Sequence, residues 1–191
     1  TDKTIAIADK LGAKVLTNEF KGHIQQKNFA ITQTSNNWIL SSDADEALSD
    51  ELRNSILEIK DKLQGDGYKF NRLTNYCGKW IRHCGWYPDT KLRLFRKLSG
   101  CWSGKNPHDK YILENGKSSF LSGDLLHYTF YEINEHKAQI IRFSDIAAQS
   151  LFELEKKSNW GLIIGKTVFK FIRNYFFKLG FLDGITGFHI C

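Results

Sequence analysis

Apolar residues recur at helical spacing in the opening stretch, where Ile5, Ala8 and Leu11 lie three apart and Gly12 offers a C-terminal stop. With Thr1 or Asp2 as N-cap, a helix to about residue 12 is predicted. Residues 14–16 read as a short strand and residues 25–34 as a second helix, with Ile24, Asn28 and Ile31 near one face. The apolar run over 37–42 predicts a strand ending at Asp43. Ser49 then opens the strongest helix, to about residue 63, with Leu52, Ile56, Ile59 and Leu63 as its apolar stripe. Helix, strand, helix, strand, helix in succession implies an α/β sheet with parallel strands and helices packed on its faces.

The pattern then changes. Residues 68–76, 91–96 and 110–113 are strand-like with turn residues between them, which predicts a mixed extension of the sheet. A long helix over about 133–156 follows, carrying Ile133, Ile140, Ile141, Leu151 and Leu154. Residues 160–181 are rich in Phe, Ile and Leu but are broken by Lys166, Lys170, Arg173 and Lys178. A membrane span needs about 20 predominantly apolar residues, so this stretch reads instead as a basic amphipathic helix in the membrane interface. The competing reading is a helix packed on the domain with its lysines solvated.

Composition sharpens this picture. A chain of 191 residues with 41% apolar and 25% charged residues is globular, of ordinary one-domain size, and not disordered. It has no methionine and begins Thr1-Asp2-Lys3-Thr4 with nothing like a signal peptide, so it reads as a piece of a longer protein. Cys77, Cys84, Cys101 and Cys191 form no C-x-x-C pair, which points to reduced thiols in a cytosolic protein rather than a zinc ribbon. Adjacent His83 and Cys84 make a poor chelating pair. The net charge of +6 is concentrated in Lys156, Lys157, Lys166, Lys170, Arg173 and Lys178, with no acid between them. A basic stretch that is also apolar favours an anionic membrane surface, not nucleic acid.

The chemistry centres on Ser42-Asp43-Ala44-Asp45-Glu46, between an apolar strand and a capped helix. In open α/β sheets, ligands bind outside the carboxyl ends of strands. Two carboxylates on such a turn can hold Mg²⁺ or Mn²⁺, which neutralises a departing diphosphate. Alternate residues of an extended segment point the same way, which gives the D-x-D spacing a reason. Asp45 is the expected direct ligand, and Asp43 the residue nearer the ribose or a metal-bound water. Spacing alone also fits a solvated acidic loop or acids at a helix entry.

Several stretches together resemble family 2 glycosyltransferases of the GT-A fold, most of all the lipopolysaccharide inner-core glucosyltransferases that act on a heptose. They are the opening Thr1-Asp2-Lys3-Thr4, Gln26-Lys27-Asn28-Phe29-Ala30 and Leu40-Ser41-Ser42-Asp43-Ala44-Asp45-Glu46. Trp80-Ile81-Arg82-His83-Cys84-Gly85-Trp86-Tyr87-Pro88-Asp89 follows and continues into Lys91-Leu92-Arg93-Leu94-Phe95-Arg96. Downstream lie Trp102-Ser103-Gly104, Pro107-His108-Asp109, Gly123-Asp124-Leu125-Leu126-His127-Tyr128 and Gly180-Phe181-Leu182-Asp183-Gly184.

The resemblance implies a Rossmann-like GT-A mixed sheet flanked by helices, with C-terminal amphipathic helices. The catalytic core would span 1–130 and a helical, membrane-associating segment 131–191. The family's Ser-Thr-Asp turn is represented here by Thr-Asp alone, so the strands before it, which hold the nucleotide, would be missing and the piece would bind donor poorly.

The reaction implied is an inverting transfer from a nucleotide-sugar, UDP-glucose as first choice, to a lipid-linked saccharide such as lipopolysaccharide core, at the cytoplasmic face of the cell membrane. Asp109 is the implied base, standing where the family usually has Glu, with Asp89 second. His127 joins Asp45 as a metal ligand. Lys27, Arg93 and Arg96 are implied beside Asp43 on the donor; Asn28 could touch phosphate or cap the sheet. Trp86 and Tyr87 are the acceptor platform. Two other classes compete: a basic membrane- or nucleic-acid-binding module without catalysis, and a sugar-phosphate nucleotidyltransferase.

Overall fold

A computed structural model describes residues 3–105, 108–155 and 157–191 of the chain. The expected N-caps Thr1 and Asp2, the Pro107 of the Pro-His-Asp stretch, and Lys156 lie outside the described residues. Two short helices come first, α1 (Thr4–Lys10) and α2 (His23–Thr32). Next are β1 (Trp38–Leu40), β2 (Glu46–Leu48), α3 (Asp50–Ile59), β3 (Gly67–Tyr76), β4 (Lys79–Ile81) and β5 (Asp89–Arg96). The chain continues through β6 (Gly100–Lys105), β7 (His108–Leu113) and β8 (Ser118–Phe130). It ends in α4 (Ile133–Glu153), α5 (Trp160–Ile172) and α6 (Gly184–Ile190), with a π-helical turn Arg173–Phe177 and a 3₁₀ turn Gly180–Asp183 between the last two.

Six strands form one mixed sheet in the order β1-β5-β3-β8-β2, with β4 on the far half of β3; β6 and β7 form a separate hairpin. The parallel content is smaller than the opening alternation predicts. Among the described residues β3–β8 is parallel, whereas β1–β5, β3–β5 and β2–β8 are antiparallel. The reason is local: β1 and β2 are three residues each and take downstream partners instead of pairing with each other. The strand expected at residues 14–16 is absent; no described strand pairs with it, and Val15 and Leu16 are exposed. Sequence reading also missed β2, β4, β6 and the long β8.

Both faces of the sheet are covered. Ser49 caps α3 as expected, its Oγ accepting from the Leu52 N–H at 3.2 Å and from the Asp124 N–H at 3.0 Å. The α3 stripe Leu52, Ile56, Ile59 and Leu63 packs on Tyr68, Phe70, Leu94, Leu121 and Leu125. On the other face Phe95, Trp102 and Tyr111 gather Ile24 and Ile31 of α2. Strand alternation sends Leu94 to one layer and Phe95 to the other. Each fully buried Leu or Phe contributes about 1.5–3 kcal/mol. These two layers, more than the brief pairings of β1 and β2, therefore hold the acidic turn.

A third cluster, Tyr76, Ile81 and Phe130 with Trp86 and Ile190, seats α6 on the end of the sheet. The His83 N–H donates to Asp183 Oδ2 at 2.9 Å and the Cys84 N–H to the Lys178 carbonyl at 3.1 Å, tying the last turns to the β4–β5 loop. By contrast α4 and α5 bury no residue.

Candidate active site

After β1 the Ser41 N–H donates to the Arg93 carbonyl at 2.8 Å, and the chain turns through the acidic motif. Glu46 closes that turn: its Oε2 accepts from the Asp43 N–H at 2.9 Å, and its own N–H donates to the Asp43 carbonyl at 3.1 Å. The Glu46 side chain is wholly buried, and Arg93 Nη2 reaches both its Oε1 at 2.9 Å and Asp43 Oδ2 at 2.8 Å. Burial alone would raise the Asp43 carboxyl. Arg93 and Lys27 together overcome this and hold it below the ordinary aspartate value.

Lys27 spans the site. Its ammonium lies 3.1 Å from Asp43 Oδ1 and 3.0 Å from Asp109 Oδ2, and 4.4 Å from the centre of a Trp102 ring. The Asp109 contact is an ion pair whose angles do not make a hydrogen bond. Asn28 fixes α2 against the hairpin: its amide donates to the Trp102 carbonyl and accepts from the Trp102 N–H, each at 2.9 Å. Asn28 therefore pins the hairpin to α2.

These contacts belong to a longer series. Asp109, Lys27, Asp43, Arg93, Glu46, Arg72, Asp89 and Lys91 alternate in sign, each within 3.6 Å of the next. Four acids meet four cations, so the ladder is neutral as a whole. Asp89, the second candidate base, is gripped by Arg72 Nη2 at 2.8 Å and Lys91 at 2.9 Å.

Asp45 stands outside the ladder. The β2–β8 register sets Glu46 opposite His127, and the Tyr128 N–H donates to the Asp45 carbonyl at 2.9 Å. The Asp45 side chain is half-exposed, and its Oδ2 lies 3.1 Å from His127 Nε2. Burial first, then Arg72, hold His127 below the ordinary histidine value, against the pull of Asp45 and Glu46. The imidazole is therefore neutral near pH 7. Thr129 Oγ1 lies 2.9 Å from His127 Nδ1. With no ion between them the Nε2–H donates to Asp45 and Nδ1 accepts from the Thr129 hydroxyl; with an ion bound, Thr129 would instead accept an Nδ1 proton and leave the Nε2 lone pair for the metal. Carboxylate plus neutral imidazole fits Mg²⁺ or Mn²⁺. Among the described residues no group of three or more His, Cys, Asp or Glu assembles, which leaves the other positions of such an ion to phosphate oxygens and water.

Two clefts flank Arg72. One of about 390 Å³ is lined by Lys27, Asp43, Arg93, Trp102 and Asp109 among others. The other, about 360 Å³, is lined by Trp86, Asp89, His127 and Thr129, with His136 and Gln139 from α4. Asp43, Asp109, Lys27 and Arg93 thus come together, and Asp45, His127 and Trp86 lie on the adjoining side.

Two expected residues do not join them. Arg96 pairs with Trp38, and its guanidinium lies 5.7 Å from that ring; Leu94, not Arg96, lies opposite Leu40 at the motif end of β1. Because β5 runs antiparallel to β1, three residues carry Arg96 about 10 Å away from the turn. The Tyr87 hydroxyl donates to Asp124 Oδ1 at 2.9 Å, and its ring lines a separate hollow with Arg82, His83 and Lys178. Arg72, Glu46 and Thr129 received no role from sequence. Each is recognised only through partners distant along the chain, although Glu46 lies in the motif itself.

Comparison with known proteins adds to this geometry. The family model for glycosyl transferase family 2 matches residues 1–114. An uncharacterized glycosyltransferase of Rickettsia conorii is 30% identical over 206 aligned residues, spanning 98% of this chain and 71% of that protein. A second, from Rickettsia typhi, is 29% identical across 98% of this chain and 68% of its own length. The lipopolysaccharide core biosynthesis glycosyltransferase LpsC of Rhizobium meliloti is 26% identical over 184 residues, 88% of this chain and 66% of LpsC.

Proposed function

The chain belongs to glycosyl transferase family 2, and from that membership we propose that it moves a hexose, with inversion, from a nucleotide-sugar such as UDP-glucose to a lipid-linked saccharide of the lipopolysaccharide-core kind. Its mixed sheet flanked by helices is the GT-A fold of the family, and the protein is a glycosyltransferase. One observation carries the finer reading: a single ammonium, Lys27, is shared by Asp43 of the acidic turn and Asp109 of the hairpin, at 3.1 and 3.0 Å. Acidic motif and candidate base therefore open on one cleft. Similarity to LpsC, a core-biosynthesis glycosyltransferase by name, supports the lipid-linked acceptor.

Asp109 takes the proton of the attacking acceptor hydroxyl. Lys27 holds Asp109 against Asp43, which limits the wandering of both carboxylates before substrate arrives. Arg93 keeps Asp43 ionised, so that it accepts hydrogen bonds from donor hydroxyls. A Mg²⁺ or Mn²⁺ ion held by Asp45 and His127 would supply positive charge to the departing diphosphate. Trp86, in the wall of the neighbouring cleft, offers an aromatic face to the acceptor sugar.

The helical segment 131–191 brings this site to the inner face of the cell membrane. Trp160, Ile164 and Val168 recur every four residues on α5 and are exposed. Lys166 and Lys170 lie away from that stripe, among exposed Leu162, Ile163 and Phe169, and Arg173 follows at the end of the helix; an exposed apolar helix carrying only basic charge supports binding to an anionic interface. Among the described residues no helix is long and apolar enough to cross a membrane.

The test is a donor screen with the intact protein, following release of UDP, GDP or ADP with Mn²⁺, Mg²⁺ or chelator. UDP release that needs metal and collapses in Asp45→Ala and Asp109→Ala is expected. Undiminished turnover in either variant removes the role assigned to that residue.

A further inference from the structure

The larger cleft holds more positive charge than its acids can neutralise. Every cation of the ladder has a carboxylate within 3.6 Å. Lys69 on β3 and Lys110 on β7 line the same cleft, and among the described residues neither has an ion-pair partner. Both are exposed, whereas the side chains of Lys27 and Asp109 in the same cleft are mostly buried. His127, assigned above with Asp45 to the donor diphosphate, lines the neighbouring cleft, and neither of the two lines this one. The surplus is therefore not matched to the leaving group. Inside the same cleft Arg93, only 4% exposed, leaves Nε and Nη1 without hydrogen-bond partners, with Trp102 5.3 Å away. The wall thus holds spare positive donors both buried and exposed.

We propose that this cleft receives the anionic substituent of the acceptor saccharide, a phosphate monoester or a carboxylate, which Lys69 and Lys110 bind while Asp109 faces the attacking hydroxyl and the rest of the sugar reaches Trp86 of the neighbouring cleft. The inference rests on the glycosyltransferase reading and adds the chemical class of the acceptor. Two ammonium groups lining one cleft suit an anionic group, and charge-assisted contacts of this kind are about twice as strong as neutral ones. An uncharged saccharide would leave both lysines without a partner. It would gain nothing from them beyond ordinary hydrogen bonds.

The experiment uses the intact protein with UDP and Mn²⁺, probed by titration with mannose 6-phosphate, glucuronate, mannose and inorganic phosphate. The wild type should bind one or both charged sugars more tightly than mannose, with an affinity that falls as salt rises. Preference for mannose 6-phosphate identifies a phosphate, and preference for glucuronate a carboxylate. The double variant Lys69→Gln with Lys110→Gln should lose about ten-fold in affinity for the preferred sugar, the equivalent of one charged hydrogen bond. Its affinity for UDP should stay at the wild-type value. Both substitutions are at exposed positions, and a circular-dichroism melt checks that the fold is kept.

Equal binding of mannose and the charged sugars overturns the proposal. So does a matching loss of UDP affinity, which would hand the two lysines to the donor, and so does inorganic phosphate binding as well as the charged sugars. If the wild type neither binds UDP nor turns over a UDP-sugar, the donor reading fails first, and the sugar titrations without UDP then test the cleft by themselves.

Discussion

Replacing Arg93 by methionine is the sharpest probe of the site, because one guanidinium joins two carboxylates of different burial. Arg93 is 4% exposed, and its Nη2 lies 2.8 Å from Asp43 and 2.9 Å from Glu46. The Glu46 side chain is wholly buried and would keep only the Asp43 N–H at 2.9 Å and Arg72 at 3.6 Å. Removing one partner of a buried ion pair costs about 3–5 kcal/mol, because the other charge stays buried and uncompensated. Methionine fills much of the aliphatic volume against Trp102, so the packing loss is the smaller part. Arg93→Met should therefore unfold in urea with about 3–5 kcal/mol less stability than the wild type. Glu46→Gln in that background removes the stranded charge, so the double variant should cost less than the sum of the singles by about 1–3 kcal/mol.

The acid limb gives the sign. In the wild type the Asp43 carboxyl sits below its ordinary 3.8, so its contribution is present above that value and is lost as pH falls through the lower folded value. In Arg93→Met the burial that raises this carboxyl faces Lys27 alone. Protonation of Asp43 then relieves the variant, and its deficit should shrink as pH falls through about 4. A deficit under about 1 kcal/mol, an additive cycle, or a deficit that widens in acid would refute the description of Arg93 as the cation that carries both charges.

Other expectations follow from the same contacts. Thr129→Val removes the acceptor beside His127 Nδ1 and should raise the Mn²⁺ concentration for half-maximal turnover about 10-fold while the melting temperature stays put; an unchanged requirement would show that Thr129 does not orient the ring. Because His127 titrates below its ordinary 6.5, metal-dependent turnover should persist at pH 6.5 and fall only in more acid buffer, and an acid limb centred above that value would contradict the burial described. Changing Lys166, Lys170 and Arg173 together to Gln should weaken binding to phosphatidylserine vesicles on the order of 100-fold, at about 1 kcal/mol per charge. Binding to phosphatidylcholine should barely change, and equal loss on both lipids would mean that the helix, not its charge, had been damaged.

Sequence revealed what is local. The α3 helix could be read because its cap Ser49 and its stripe from Leu52 to Leu63 are short-range signals. The acidic turn was found because β1 ends and α3 begins around it. β8, the longest strand, was not found. Its alternation is broken at Gly123, where the backbone takes φ +97° and the pairing with β3 shifts register between Lys69 and Asn71. A side chain at Gly123 would also meet the Leu52 backbone, so the break is a requirement of α3 packing that a period-two pattern cannot reveal. Arg93 and Arg96 illustrate the same limit. Alternation puts them on opposite faces, but the register of β5 against β1 decides which arginine reaches the turn. Arg72 went unnoticed because its value lies in Glu46 and Asp89, contacts that only the folded sheet makes.

The ladder also gives the two motif acids different surroundings. Asp43 is flanked by Lys27 and Arg93, whereas Asp45 has His127 as its neighbour and remains half-exposed. A divalent ion would compete with two cations at Asp43 and with none at Asp45. An alternating series also transmits damage unequally. Lys91 ends it, and Asp89 keeps Arg72 at 2.8 Å if Lys91 is lost, whereas Arg93 stands in the interior between two acids. Lys91→Gln should therefore cost no more than the 0–1 kcal/mol usual for an exposed pair, with donor turnover within about two-fold of the wild type. Urea unfolding and UDP release measured on Lys91→Gln beside Arg93→Met decide the matter. Equal losses in the two variants would mean that the charges act as a diffuse field and not as an ordered series.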